Sequence, residues 1–299
     1  MKYNYRGFGL NITSDIDFPE LVAASFDIAD VNIYQGVIIA PVEGKKIVWH
    51  HLALTITDNQ LFLEAKGIAR YLATDGRTII VEPVDKDVDM RLLRLHILAS
   101  VIAGALLQRK MLPMHASAIL HHGELAFITG DSTAGKSTTL AGLIKKGYTP
   151  FSDDVVVLSP DLQTSASYPM IKLWEDAQEK LNHGQFSDQS FAIRKGMNKY
   201  GVFFHEQFDT GSHPVKKIFI LKKGPVNQIE SRQLKNAEAF NELTKQVYRK
   251  MLIHNNELKA LTFQIISALS NNCIIYQVTR PEVCNVDALV EYVENLLLG

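Results

Sequence analysis

The chain has 299 residues, 46% of them hydrophobic, enough for a packed core in one large domain or two smaller ones. A net charge of −1 and a pI near 6.8 give no electrostatic footprint for nucleic acid or an anionic membrane. The two cysteines, Cys273 and Cys284, fit neither a C-x-x-C nor a zinc-like spacing, and Met1–Arg6 lacks an apolar signal core, so a reduced, cytoplasmic compartment is expected.

Residues 1–87 carry short strand-like runs at Val31–Tyr34, Gly36–Ala40, Leu52–Ile56 and Thr78–Val81. Turn signals at Glu43-Gly44, Asp58-Asn59 and Asp75-Gly76 separate them. The expectation is a small, mainly β N-terminal domain over 1–87, joined through the linker candidate Glu82–Asp87 to a second domain over 88–299. Met90–Arg109 is apolar nearly all round at helical spacing and predicts a helix buried between the two parts. Its apolar run, Leu95–Leu107, is too short to span a bilayer. His115–Leu120 reads as a strand, His121-His122-Gly123 as a tight, water-exposed turn, and Leu125–Thr129 as a buried return strand. Ser137–Lys146 reads as a helix with Leu140, Leu143 and Ile144 on its apolar face and Gly147 as its stop.

Ser152–Leu158 predicts a strand that opens with two carboxylates. Leu173–Leu181 reads as a short helix anchored by Trp174, and Asn182–Ser190 as either a lid or a loop without a role. Further on come a strand at Lys216–Leu221, amphipathic helices at Ala237–Ile253 and Leu258–Leu269, a strand at Asn272–Val278 and a closing helix at Val286–Leu298.

Gly130-Asp131-Ser132-Thr133-Ala134-Gly135-Lys136-Ser137 fills the phosphate-loop pattern G-x-x-x-x-G-K-[ST] in full. Glycines let consecutive N–H groups turn inward at phosphate oxygens, and a strand before and helix after aim a helix N-terminus at an anion. Lys136 has the reach for β- and γ-phosphates, Ser137 has a hydroxyl for Mg²⁺, and Thr138 closes the binding stretch, so ATP and Mg²⁺ are the implied cofactors. Asp153-Asp154 begins 17 positions after Lys136. On a strand, neighbouring side chains face opposite ways, so one carboxylate can face metal and the other an attacking hydroxyl. A plain strand-opening turn is the structural alternative. His115 starts the neighbouring strand, where an imidazole could orient Asp153 and tune its basicity; a lone histidine can equally be structural. Arg194, Lys195 and Lys199 offer cations for the transferring phosphoryl group, Lys199 first, against the alternative of a solvated surface.

His115-Ala-Ser-Ala118, the loop itself, Leu143–Tyr148 and Ser152-Asp153-Asp154 together resemble the catalytic domain of HPr kinase/phosphorylase, most strongly over residues 90–160. The resemblance implies an α/β fold, the P-loop domain shared with ATP-dependent phosphoenolpyruvate carboxykinase, here preceded by the small β domain. It also implies that Asp153 takes the proton from a serine hydroxyl, that Asp154 helps to hold Mg²⁺, and that His115 supports Asp153. Two features depart from the family: Thr133 stands where glycine is usual, and the L-E-I-R-G-L-G segment is missing. Over more of its length the chain is similar to the HPr-kinase-like proteins of lasso peptide biosynthesis, in Tyr5–Leu21, Leu112–Ser117, Tyr168–Trp174 and Thr279–Pro281. That similarity implies an ATP-dependent serine kinase acting near the C-terminus of a ribosomal precursor peptide. An HPr-like protein or free serine is the alternative acceptor, and a nucleotide-binding regulatory module is the alternative of another class. A homo-oligomer stays open, and neither nucleic acid nor membrane is an expected partner.

Overall fold

The computed structural model describes residues 1–49, 51–174, 191–192 and 199–299. Its first sheet is built from β1 (Tyr3–Gly7), β2 (Leu10–Ser14), β3 (Val22–Ala23), β4 (Val31–Gln35), β5 (Lys45–Trp49), β6 (Leu52–Ile56), β7 (Gln60–Ala65), β8 (Ala69–Thr74) and β9 (Thr78–Pro83). Their order is β3-β1-β2-β4-β9-β8-β7-β6-β5. From β5 to β9 the chain runs as an antiparallel meander, and Asp75 and Gly76 both take positive φ, 54° and 63°, at the turn into β9. Gly36–Ala40 is not the expected strand. Instead Ile38 packs on Phe62 and Leu72, on the face of the sheet away from the main core, with its N–H on the Glu82 carboxylate. The strand β5, which was not expected, lies at the sheet's free edge and buries little of either face.

A single continuous helix, α1 (Met90–Gln108), follows the turn after β9. Asp89 caps it by accepting from the N–H groups of Arg91 and Leu92, and a π turn occupies Ile97–Val101. Among the described residues α1 is the one helix long and apolar enough to cross a membrane, but 61% of its apolar 18-residue stretch is buried inside the protein. Leu93, Ile97, Val101 and Leu106 join one core with Leu63, Tyr71 and Val81 of the first sheet and with Met114, Phe127 and Ile220 beyond it.

The remaining elements are β10 (Leu112–Met114), β11 (Ala116–His121), β12 (Glu124–Gly130), α2 (Lys136–Lys145), β13 (Thr149–Ser152), β14 (Val156–Leu158), β15 (Gln163–Ala166), β16 (Met170–Trp174), β17 (Phe191–Ala192), β18 (Lys199–Phe203), β19 (Ser212–Lys223), β20 (Glu230–Leu234), α3 (Asn236–Lys245), α4 (Asn256–Asn272), β21 (Ile274–Arg280) and α5 (Val286–Leu298). A second large sheet runs β10-β14-β15-β19-β12-β11-β13, with β21 also on β19 and β20 on β21. The pairs β12/β19 and β19/β21 are parallel. Both faces of the central strands are covered, so they read as nearly continuous apolar runs. Phe127, Ile218 and Ile220 face α1 and α4, while Ala126, Ile128, Phe219 and Leu221 face α2 and α5. The protein is thus a mixed α/β structure with two large sheets.

Three further expectations change. Ser152–Leu158 is broken into β13 and β14, with Asp153 and Asp154 in the gap. Leu173 and Trp174 belong to strand β16, paired with β18, because Ile171 and Leu173 alternate inward as strand residues; the rest of the expected 173–181 helix lies outside the described residues. The expected 237–253 helix ends at Lys245, because Gln246–Tyr248 is drawn onto β10 through the His115 N–H to Gln246 O and Tyr248 N–H to Pro113 O bonds. Asn182–Ser190 also lies outside the described residues.

Candidate functional site

The phosphate loop leaves β12 at Gly130, where the chain bends at φ 132°. A side chain there would not fit, since a Cβ would stand 2.1 Å from Leu221 O of the parallel neighbour β19. Thr133 and Gly135 also take positive φ, 67° and 113°, which curls Asp131–Gly135 back toward the start of α2. Gly135 caps α2 without a side-chain hydrogen bond, so the first-turn N–H groups are open to an anion. Asp131, Ser132 and Thr133 are exposed, Ala134 is buried, and Ser137 and Thr138 are half-buried. Lys136 is only 9% exposed and donates Nζ–H to Gly130 O at 2.9 Å and Asp131 O at 3.0 Å, so its charge lies across the mouth of the loop.

Two side chains far away in sequence hold this loop. Arg280 donates from Nε to Ala134 O and from a terminal nitrogen to Thr133 O, at 2.9 and 3.0 Å. Buried Gln246 accepts at Oε1 from Thr129 Oγ1 and from the Gly130 N–H, at 2.9 and 3.2 Å. Sequence reasoning missed both roles. Arg280 did stand in the Thr279–Pro281 segment, but nothing local marks it as a clamp.

The acidic pair sits where one antiparallel ladder is interrupted. Ala118↔Ser152 and Met114↔Val156 belong to the same register, so His115–Ser117 and Asp153–Val155 face each other across the gap. Asp154 has φ 70°, a left-handed conformation rare outside glycine and aspartate-like residues, and this turns the two carboxylates apart. Asp153 is 1% exposed. Its Oδ1 accepts from Ser117 Oγ at 2.6 Å and from Ser137 Oγ at 3.0 Å, and its Oδ2 accepts from the Lys172 N–H at 2.9 Å. Among the described residues it makes no ion pair, so a buried carboxylate stands against the loop serine without a cation.

Asp154 is held differently. Its Oδ2 accepts from Lys172 Nζ at 2.6 Å, and its Oδ1 lies 3.4 Å from His115 Nδ1. Burial alone would push the Lys172 ammonium down, but the Asp154 carboxylate and nearby tyrosines turn the net shift well upward, so Lys172 stays charged. His115 Nδ1 also lies 2.8 Å from Asp154 O. A carbonyl only accepts, so Nδ1 carries the hydrogen. Burial pushes the imidazole below its ordinary value in spite of Asp154, so at neutral pH the ring is uncharged and Nε2 keeps its lone pair.

The expected pairings are therefore exchanged. His115 stands against Asp154 rather than Asp153, and Ser137 against Asp153 rather than Asp154. Those pairings are what the resemblance implies; here the break between β13 and β14 and the left-handed Asp154 set which neighbour each carboxylate meets. Lys172 and Ser117 were missed as site residues, although both stand in the segments that carry the resemblance. Lys199 lies in β18 opposite Trp174, while Arg194 and Lys195 fall outside the described residues.

No family model and no curated protein matches the chain. A solved structure of the Hpr(Ser) kinase/phosphatase from Coxiella burnetii is similar at 16% identity, over 62% of this chain and 96% of that one, with a TM-score of 0.30. So loose a superposition carries no argument here, and the chemistry rests on the residues themselves. A serine hydroxyl and a buried carboxylate are hard oxygen donors, the kind Mg²⁺ takes beside nucleotide phosphates. No group of three His, Cys, Asp or Glu side chains forms a metal cluster among the described residues. A phosphate-loop site does not need one, because the phosphates complete the metal's shell.

Proposed function

We propose that this chain is an ATP- and Mg²⁺-dependent serine kinase of the HPr-kinase type. Its proposed acceptor is a serine at or near the C-terminus of a ribosomal, lasso-type precursor peptide. One observation carries the reading: a complete phosphate-loop sequence whose Ser137 hydroxyl is bonded to the buried carboxylate of Asp153, which makes no ion pair among the described residues. In this reading Gly130–Thr138 cradles the phosphates of ATP, and Lys136 swings from the Gly130 and Asp131 carbonyls onto the β- and γ-phosphates. Ser137 and Asp153 hold Mg²⁺, which neutralises charge on the phosphate oxygens when bound. This gives Asp153 the metal role that the resemblance implied for Asp154.

Asp154, His115 and Lys172 make the acceptor side. Lys172 fixes the Asp154 carboxylate, and Asp154 fixes the His115 ring through Nδ1–H. His115 Nε2 then takes the proton from the serine hydroxyl as its oxygen bonds to the γ-phosphorus and ADP leaves with the electrons of the broken P–O bond. Residues 1–87 form the acceptor-facing unit and 88–299 the catalytic one, with Lys199 a further cation for the transferring group. The experiment is an intact-mass assay with Mg²⁺-ATP that offers HPr, free serine, and a precursor-like peptide with its terminal serine or with alanine there. One added phosphate confined to the serine peptide supports the reading. Labelling of HPr or free serine with the peptide untouched overturns the acceptor and leaves the kinase.

A further inference from the structure

Arg249 stands on the acceptor side of this site in an unusual state. Its backbone is left-handed, φ 51° and ψ 42°, a conformation that non-glycine residues seldom adopt. Its guanidinium lies over two rings, 4.9 Å from the Trp49 centroid and 5.1 Å from that of Tyr248. A cation held by ring contacts still has its N–H donors to satisfy. Among the described residues, Nε is buried with no hydrogen-bond partner and no carboxylate pairs with the guanidinium. Buried donors left unmade are costly, and in native structures they call for an explanation. The charges added by its neighbours in sequence and sheet are positive: Lys45 of the edge strand β5 donates to Met251 O at 3.3 Å, and Lys250 is exposed next door.

Position says which anion is wanted. The Tyr248 ring lies 6.1 Å from the His115 ring, so contacts run from Arg249 through Tyr248 to His115 and Asp154. The phosphates have the loop and Lys136. Arg249 stands instead on the His115 side, next to Tyr248, and Trp49 brings the N-terminal sheet to the same place. We propose that Arg249, held over the Trp49 and Tyr248 rings, receives the C-terminal carboxylate of the peptide acceptor. This rests on the serine-kinase reading above. A guanidinium fork matches a carboxylate with two parallel N–H···O bonds, and the ring contacts have already restricted its rotamers. The two ring-to-ring steps from Arg249 to His115 can be spanned by a serine within a residue or two of the chain end, at about 3.5 Å per residue. Arg249 thereby selects serines at a terminus over serines inside a folded chain.

The test uses the full-length protein and one synthetic serine-ended peptide made as the free acid and as the C-terminal amide. Binding is read by fluorescence anisotropy with a non-hydrolysable ATP analogue and Mg²⁺, and transfer by mass. Amidation is expected to weaken binding and raise KM by about 10- to 100-fold on the natural enzyme, with ATP affinity unchanged. Arg249→Gln should bring the acid down to the level of the amide and leave the amide where it was. Equal binding of acid and amide to the natural enzyme overturns the inference and needs no variant. So does an Arg249→Gln protein that still prefers the acid, or one that loses ATP instead. Carboxylate-dependent binding without transfer would keep the inference and sink the kinase reading; transfer indifferent to the carboxylate would do the reverse.

Discussion

Replacing Asp153 by asparagine separates the two carboxylates. The side chain is buried and accepts three hydrogen bonds, from Ser117, Ser137 and the Lys172 amide. Asparagine can turn its oxygen to the Lys172 N–H and its NH₂ to the two hydroxyls, which can accept as well as donate. All three bonds survive, and only their charge assistance is lost. Relief from burying a charge offsets part of that, so the fold should lose only about 1–2 kcal/mol and melt a few degrees lower. The effect on the site is larger, because the carboxylate bonded to Ser137 is gone. The gain in ATP affinity on adding Mg²⁺ should fall by about 10- to 100-fold. Calorimetric titration of ATP with and without Mg²⁺ measures it, with Asp154→Asn as the control. Asp154→Asn should keep the Mg²⁺ effect and lose transfer to serine. The reverse pattern, with Mg²⁺ coupling intact in Asp153→Asn and lost in Asp154→Asn, would refute the assignment drawn from the Ser137 and His115 contacts.

Gly130→Ala forces a Cβ to within 2.1 Å of Leu221 O at φ 132°, and should destabilise by about 3 kcal/mol or more in thermal or urea melts; a melt like that of the natural protein would contradict the packing described. The depressed His115 value predicts a transfer rate that holds as pH falls through the ordinary histidine range near 6.5 and drops only below it. The same group contributes stability above about pH 6.5 that is lost as pH falls to its folded value, because the unfolded chain takes the proton first; the difference in melting between the natural protein and His115→Gln isolates it. Lys172→Met leaves Asp154 facing His115 without its cation, which favours the imidazolium and should move the acid limb of the pH–rate profile upward. An unmoved limb would remove Lys172 from the site.

The parts of this molecule that sequence made legible are local. The strand that ends at Gly130 and the helix that starts at Lys136 follow from apolar spacing alone. Val286–Leu298 folds as the helix its periodicity predicts, over the same residues. Legibility fails where conformation departs from type. Nothing in Ser152-Asp153-Asp154 announces a left-handed Asp154; alternation leaves open which carboxylate faces which neighbour, and the pairing of His115 with Asp153 follows from the assumed shared cleft and the resemblance, not from the local backbone. Gly36–Ala40 has a strand's composition but spends its one buried side chain, Ile38, on the outer face of a sheet already formed. Gln246, Arg280 and Lys172 reach the loop and its carboxylates from separate elements, and such meetings are a property of the tertiary fold.

The most direct test of the central claim is the mass of a serine-ended peptide after incubation with Mg²⁺-ATP and either the natural protein or a folded Lys136→Ala variant. Lys136 lies across the loop mouth with its ammonium on the Gly130 and Asp131 carbonyls, where γ-phosphate handling would need it. The account predicts one phosphate on the serine with the natural protein and none with the variant. Equal phosphorylation by both, with the variant shown by its circular dichroism to be folded, would contradict it.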